Sequence, residues 1–267
     1  MGQIIFHVGL PKTASTSLQL YFDSIDVNHV KYDRYFNKEY FDKDKEYSGI
    51  NSPTVFSDEN YLRYSFFLGY EFFLEKAKQE FENIKIIIVT RNQLDFLRSI
   101  FKHSIKVGYN YNDFNDFLKS NLGVDAIRMC MFYSIYTNTL RFIPKKDILI
   151  IPFESIKETD NFIDTILDFM NYEGKRIYKL PHSNKNLSEN ELFLLNKFRL
   201  INIFSKTNML GKSEDVFKKG VVRLTIYIFP KLFYKKANEF FNLNKDTHHK
   251  MLLEFEKQND KLKRVLE

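Results

Sequence analysis

A short apolar run near the start of the chain leads directly into a glycine, a proline and a cluster of hydroxyl residues. The run covers residues 4–8, the glycine-to-hydroxyl segment covers residues 9–17, and a helix-like segment follows at residues 18–22. A strand, a tight turn and a helix start in this order bring unpaired backbone N–H groups and the positive end of a helix dipole to one point. The pattern therefore predicts a site for a phosphate or sulfate group at the beginning of an α/β domain.

The turn departs from the phosphate-binding loop of kinases and GTPases. Counted from Gly9, that loop needs glycine at position 14 and lysine at position 15, and this chain has Ala14 and Ser15. The lysine of the loop is Lys12, which lies on the turn where it can reach the outermost group of a nucleotide. The pattern argues against a metal-dependent nucleotide hydrolase. The other interpretation is that the proline and hydroxyl residues only turn the chain and cap a helix.

A second apolar run, residues 85–90, ends at Arg91 and is followed by helical apolar spacing over residues 93–106. Continuous β-branched runs of this length are typical of strands buried in a parallel sheet. A guanidinium group suits a phosphate because it donates two parallel charge-assisted hydrogen bonds. Taken alone, Arg91 is also compatible with a surface ion pair.

Together the two elements resemble sulfotransferases that use 3′-phosphoadenylyl sulfate (PAPS). Residues 11–17 are similar to their 5′-phosphosulfate loop, and Arg91 with Ser99 eight positions later has the spacing of their 3′-phosphate residues. Residues 7–13 look closest to bacterial members, with Ala14 a small departure because many relatives have glycine there. The resemblance implies one sulfotransferase domain over residues 1–267. Its expected fold is a three-layer, P-loop-like α/β fold with a central, mostly parallel sheet flanked by helices and a helical C-terminal third.

The resemblance also implies which residues hold the nucleotide and which take part in the reaction. Lys12 would take up charge on the leaving oxygen, because donors placed before the reaction stabilise developing charge. The implied nucleotide-binding residues are Pro11, Lys12, Thr13, Ala14, Ser15, Thr16, Ser17, Arg91, Ser99, Lys185 and Asn186. The last two lie in a polar loop, for which an ordinary surface connection is the other interpretation.

The acceptor needs a general base, for which the sequence offers two candidates. Glu59 follows the predicted strand at residues 55–57, and the resembling bacterial enzymes often carry a Ser-x-Glu stretch there. The other interpretation is that Asp58 and Glu59 begin a helix. His103 is the reserve candidate, on the same helical face as Ser99, although a structural histidine fits equally. His248 and His249 lack metal-ligand spacing, so no zinc site is expected. The resemblance implies PAPS as the cofactor, adenosine 3′,5′-bisphosphate (PAP) as its product and no required metal.

Composition limits the class of partner and the compartment. The 40 Lys and Arg against 34 Asp and Glu give a net charge of +6, which suits a polyanionic cofactor, an acidic glycan or a membrane surface. No signature of nucleic-acid binding accompanies it. Cys130 is the single cysteine; it excludes an intrachain disulfide, fits a reducing compartment and is expected at a buried helix position. We found no leader or membrane-spanning stretch and expect a cytoplasmic protein.

Residues 218–236 combine apolar and aromatic residues with basic ends. That composition suits peripheral contact with anionic lipid at the inner face of the membrane. A core helix with basic flanks is the other interpretation.

The remaining elements follow from apolar periodicity and capping residues. Residues 28–52 are polar and aromatic, and the charge-rich residues 38–46 are expected to form a solvated loop or short helix. Residues 148–151 are expected to form a strand. The predicted helices cover residues 61–81, 113–118, 125–142, 192–203 behind a capping box at Ser188 and Glu191, and 247–266, which contains Gln258 and Asn259.

The sequence thus favours a PAPS-dependent sulfotransferase acting on a hydroxyl of a carbohydrate or glycolipid. A nucleotide-dependent kinase and a non-catalytic nucleotide-binding module remain the alternatives. Because variable loops form the acceptor pocket, the sequence does not identify the acceptor.

Overall fold

The computed structural model describes residues 3–13, 15–31, 53–58, 62, 68–180, 188–200, 236 and 239–267. The chain divides into two compact units. The first unit comprises Met1–Phe96, Arg128–Ser183 and Lys257–Glu267, and the second comprises Leu97–Ile127 and Asn184–Glu256.

A parallel sheet of five strands forms the centre of the first unit. The strands are β1 (Ile4–Gly9), β2 (Asn28–Lys31), β3 (Thr54–Asp58), β4 (Ile84–Thr90) and β5 (Ile148–Pro152). Their order across the sheet is β2-β3-β1-β4-β5, and every neighbouring pair is parallel. All six residues of β1 are buried, as expected for a central strand with both faces covered.

The helices of the described residues are named in chain order. They are α1 (Ser15–Phe22), α2 (Leu68–Glu80), α3 (Gln93–Val107), α4 (Phe114–Lys119), α5 (Asn121–Met129), α6 (Phe132–Leu140), α7 (Thr159–Phe169), α8 (Glu189–Leu200) and α9 (Lys245–Leu266). Two short 3₁₀ helices, Lys145–Asp147 and Phe153–Lys157, flank β5. None of these helices is both long and apolar enough to cross a lipid bilayer, as far as the described residues extend.

Helices cover both faces of the sheet in the first unit. On one face, Ile5 of β1 and Val89 of β4 pack with α1 and α7 in one buried cluster. On the other face, the Phe6 ring stacks on Phe56 of β3 at 5.2 Å and meets Phe73 of α2 edge to face at 5.0 Å. The predicted three-layer, parallel α/β fold is confirmed.

The second unit is built from helices around aromatic side chains. The Phe101 ring of α3 lies 5.1 Å from Phe114 and 5.2 Å from Phe117 of α4. Phe240 and Phe241 are 5.3 and 5.4 Å from Phe101. Such pairs combine a large buried area with favourable ring geometry, so they fill the core of this unit in the absence of tryptophan.

Strand β2 was missed, and two predictions about elements were wrong. Residues 28–31 form this strand, whose backbone pairs with β3 although its sequence is polar. The helix predicted over residues 125–142 is two helices, α5 and α6, separated at Cys130 and Met131. Met131 has φ −81° and ψ 65°, outside the helical region. Cys130 is buried as expected but lies between the helices, and burial raises the pKa of its thiol well above the ordinary value.

Helix α7 was missed. Its buried residues Phe162, Ile163, Ile166 and Leu167 have the spacing of an amphipathic helix, which would have indicated it. Residues 38–46 lie outside the described part of the chain, as does the segment 218–236 apart from Lys236.

Candidate active site

The order of the strands indicates that a ligand would bind at the carboxyl ends of two central strands. From β1 the chain leads towards β3 and β2 on one side, and from β4 it leads to β5 on the other side. In open parallel sheets, ligands bind outside the carboxyl ends of the strands where the direction of the chain path reverses. Between the adjacent strands β1 and β4, this point lies beside Gly9 and Thr90.

The loop that follows β1 is shaped by hydrogen bonds within itself. The hydroxyl groups of Thr13 and Ser15 both donate to the carbonyl oxygen of Leu10, at 2.7 and 2.9 Å. Both residues are buried, and their oxygens are 3.5 Å apart. These hydroxyl groups therefore fix the curvature of the loop from inside, whereas the Lys12 side chain is exposed.

Lys12 has a left-handed backbone conformation, with φ 68°. Non-glycine residues rarely adopt this region because Cβ then crowds the backbone. A side chain kept there despite this cost is a mark of a functional loop. The conformation turns the chain sharply between β1 and α1.

Gly9 allows the loop to close onto the first turn of α1. A Cβ atom at position 9 would lie 2.6 Å from Ser15 Oγ and 3.1 Å from Ser15 Cβ. Only glycine permits this approach without a shift of the backbone or of Ser15. At the start of α1, the backbone N–H groups have no acceptor within the helix and the dipole is positive, which together suit an anion.

Arg91, directly after β4, contacts this loop. Its Nη1–H donates a hydrogen bond of 2.7 Å to the carbonyl oxygen of Lys12. Its guanidinium carbon lies 5.1 Å from the centre of the Phe153 ring, within the range of a cation–π contact. The structure thus brings together the two elements that the sequence singled out, 79 positions apart.

Arg91 keeps donors for a further acceptor. Its guanidinium group carries five N–H donors, of which Nη1 makes the bond to Lys12. The group can therefore hold the loop and bind an anion at the same time.

A buried histidine in β1 is a further polar residue next to the loop. His7 Nδ1 and Ser57 Oγ of β3 are 2.7 Å apart, and the two residues are 0% and 1% exposed. Burial, together with the nearby His29, lowers the pKa of His7 to about 3. His7 is therefore neutral at physiological pH and cannot supply a positive charge to an anion. His7 was not singled out from the sequence, although a polar residue inside an otherwise apolar strand could have indicated it.

The other predicted residues of the described chain have defined places. Pro11 and Ser17 are half-buried and Thr16 is exposed, all around the start of α1. Ser99 and His103 lie on α3, in the second unit, where Ser99 is half-buried and His103 is exposed. Ala14, Glu59, Lys185 and Asn186 lie outside the described residues, so their roles stay predictions. Within the described ranges, no three acidic, histidine or cysteine side chains are grouped as a metal site would require.

The fold and the loop define a protein of the P-loop-like α/β class. A family model for the sulfotransferase domain matches residues 5–223. Because this match covers most of the chain, the chain belongs to the sulfotransferase family and is a sulfotransferase.

Three solved structures that match the chain are also described as sulfotransferases. The sulfotransferase from Alicyclobacillus acidocaldarius matches with a TM-score of 0.51 at 14% sequence identity, over 77% of this chain and 95% of that one. The sulfotransferase domain from the curacin biosynthetic pathway matches with a TM-score of 0.36 at 16% identity, over 50% of this chain and 44% of that one. Mouse sulfotransferase SULT7A1, complexed with PAP, matches with a TM-score of 0.35 at 12% identity, over 77% of this chain and 67% of that one. The curated proteins contain no match.

Proposed function

We propose that the chain transfers a sulfuryl group from PAPS to a hydroxyl of a carbohydrate or glycolipid and releases PAP. The family implies the donor, and the acceptor class is suggested by the family resemblance alone. The observation that carries the proposal is the hydrogen bond from Arg91 to the carbonyl oxygen of Lys12, since it joins the two segments predicted to bind anions.

The residues of the loop and Arg91 fit a nucleotide that carries anionic groups at both its 5′ and its 3′ position. PAPS supplies the sulfuryl group, which leaves the 5′-phosphate oxygen and forms a bond to the acceptor oxygen. The Lys12 ammonium group stabilises the charge that develops on the leaving oxygen. The N–H groups at residues 13–17 hold the 5′-phosphate and sulfate oxygens, and Arg91 holds the 3′-phosphate.

Glu59 is the proposed general base, and His103 is the reserve candidate. Either would take the proton of the acceptor hydroxyl as the new bond to sulfur forms. Exchange of Glu59 for Gln should lower turnover by a factor of about 10² or more, while PAP affinity stays unchanged. A larger loss in His103→Gln than in Glu59→Gln would assign the role to His103.

The experiment that tests the proposal is incubation with labelled PAPS and a panel of glycans and glycolipids. The wild-type protein should transfer the labelled sulfuryl group to an acceptor. The Lys12→Ala variant should not transfer it. Lys179→Ala, an exposed lysine of the same unit, is the matched control and should keep the activity. Absence of transfer to every acceptor, together with retained binding of PAP, would favour the non-catalytic module.

The kinase alternative makes a different prediction about metal and nucleotide. A sulfotransferase should bind PAP more tightly than ATP and keep its activity in EDTA. A kinase would need Mg²⁺ and prefer ATP. Preference for MgATP in a direct binding measurement would overturn the proposed function.

The place of action is also part of the proposal. We place the enzyme in the cytoplasm, with residues 218–236 making peripheral contact with the inner face of the membrane. The basic ends of this segment and its aromatic centre are the support. Failure to float with anionic liposomes at low salt would contradict the membrane contact without affecting the proposed reaction.

A further inference from the structure

The closing helix α9 contacts the beginning of α3 through a pair of side-chain amides. Gln93 Nε2–H donates to Asn259 Oδ1 at 2.6 Å, and Asn259 Nδ2–H donates to Gln93 Oε1 at 3.3 Å. Gln93 is 4% exposed, so its amide is largely out of reach of water. A buried amide needs partners for both its donor and its acceptor, and Asn259 provides both.

Gln93 lies two residues after Arg91, and the backbone of Asn92 and Gln93 makes two further contacts. The N–H of Asn92 donates to Glu154 Oε1 at 2.8 Å. Cys130 Sγ lies 3.8 Å from the carbonyl oxygen of Gln93. The segment from β4 into α3 is therefore fixed at successive residues directly after Arg91.

The part of α9 that carries Asn259 packs within the first unit. Lys257–Glu267 belongs to that unit together with Arg91, Gln93 and the sheet. Leu262 is buried, and Lys261 Nζ lies 5.7 Å from the centre of the Tyr133 ring of α6. Asn259 is thus held near Gln93 by the packing of the residues that follow it.

We infer that Gln93 and Asn259 are positioning residues for Arg91, through which the closing helix sets the affinity for the 3′-phosphate. This inference rests on the proposed function. A guanidinium group recognises a phosphate only when its fork is held close to the productive geometry. Fixing the backbone that carries Arg91 supplies this, because less conformational freedom is then lost when the nucleotide binds.

The test compares two nucleotides that differ in the 3′-phosphate. Calorimetry gives the affinity of the full chain for PAP and for adenosine 5′-phosphate, which lacks that group. In Asn259→Ala, PAP affinity should fall about tenfold, as expected for loss of a coupling contact. Affinity for adenosine 5′-phosphate should stay within about twofold of the wild-type value. An equal loss for both nucleotides would overturn the inference and indicate a general structural role.

A double-mutant cycle with Arg91→Ala tests the route of the effect. If Asn259 acts through Arg91, adding Asn259→Ala to the Arg91→Ala variant should leave the ratio of the affinities for PAP and adenosine 5′-phosphate unchanged. A further change of the same size in the Arg91→Ala background would overturn the inference.

Two further variants separate positioning from a loss of folding. The double variant Gln93→Asn with Asn259→Gln exchanges the two amides and should recover much of the PAP affinity. Asp260→Asn, at the neighbouring exposed position of α9, is the control and should keep it. Should Asn259→Ala not fold, Asn259→Ser takes its place in the same comparison. If this double variant binds PAP as weakly as Asn259→Ala does, a role for the amide pair is contradicted.

The wild-type measurement separates this inference from the proposed function. A wild-type chain that binds neither PAP nor PAPS overturns the proposed function and the inference with it. A wild-type chain that binds PAP about 10-fold or more tightly than adenosine 5′-phosphate, with an unchanged ratio in Asn259→Ala, overturns the inference alone.

Discussion

Lys12 combines a costly backbone conformation with an exposed ammonium group, and substitution can separate the two. At φ 68°, alanine retains the steric cost whereas glycine avoids it. Lys12→Gly should therefore be more stable than Lys12→Ala by about 1 kcal/mol, measured by urea unfolding. Both should lose sulfate transfer by a factor of about 10² to 10³, because both lack the ammonium group.

The two measurements on Lys12 can fail independently. Equal stability of the glycine and alanine variants would contradict the left-handed conformation. Transfer activity retained in either variant would contradict the role of the ammonium group, whatever the stability.

His7 predicts a dependence of stability on pH. Its pKa is about 3 in the folded protein, and an exposed imidazole has a pKa near 6.5. Between these values the unfolded chain binds a proton that the folded chain does not, so stability falls as the pH falls below about 6.5. From pH 7 to pH 5 the loss from this one group is about 2 kcal/mol.

The comparison variant is His7→Asn, whose amide nitrogen can take the place of Nδ1 beside Ser57. Its free energy of unfolding should change less between pH 7 and pH 5 than that of the wild type, because it lacks the imidazole. The other titrating groups are common to both proteins and cancel in the difference. Parallel pH profiles would show that His7 titrates alike in both states.

At the scale of elements, α8 holds the segment after α3 through one buried asparagine. Asn196 Oδ1 accepts from the Tyr111 N–H at 3.1 Å, and its Nδ2–H donates to the Tyr111 carbonyl at 2.7 Å. Asn196→Ala leaves the buried N–H and carbonyl groups of Tyr111 without this partner. The free energy of unfolding should therefore fall by about 2 kcal/mol or more. Thermal and urea unfolding measure the change.

Asn190, a half-buried asparagine on the same helix, provides the matched control. Asn190→Ala should change the free energy of unfolding by about 0.5 kcal/mol or less. Similar losses in the two variants would show that the bonds to Tyr111 are not what Asn196 contributes.

At the scale of the whole molecule, the net charge of +6 favours a nucleotide with several negative charges. Salt screens such attraction, since the Debye length falls from about 10 Å at 0.1 M to about 3 Å at 1 M. The dissociation constant for PAP should therefore rise with NaCl concentration, whereas that for uncharged adenosine should change little. Equal salt dependence for both ligands would contradict an electrostatic contribution to nucleotide binding.

Elements with a local signal were predicted well from the sequence. Strands β1 and β4 are continuous apolar runs, and burial on both faces of a parallel sheet requires such runs. The start of α8 was predicted from its capping box, in which Ser188 N–H donates to Glu191 Oε2 at 2.7 Å and Glu191 N–H donates to Ser188 Oγ at 3.3 Å. Strand β2 has no comparable signal because its partner β3 supplies the pairing.

The sequence by itself determined the β1-loop-α1 motif and the strand that ends at Arg91, because apolar periodicity and turn residues act over a few neighbouring positions. Only the tertiary structure decided that Arg91 bonds to the Lys12 carbonyl, that His7 faces Ser57, and that Asn259 meets Gln93. These contacts join residues 50 to 166 positions apart. Their partners are set by the order of the strands and the packing of the helices, which no local pattern contains.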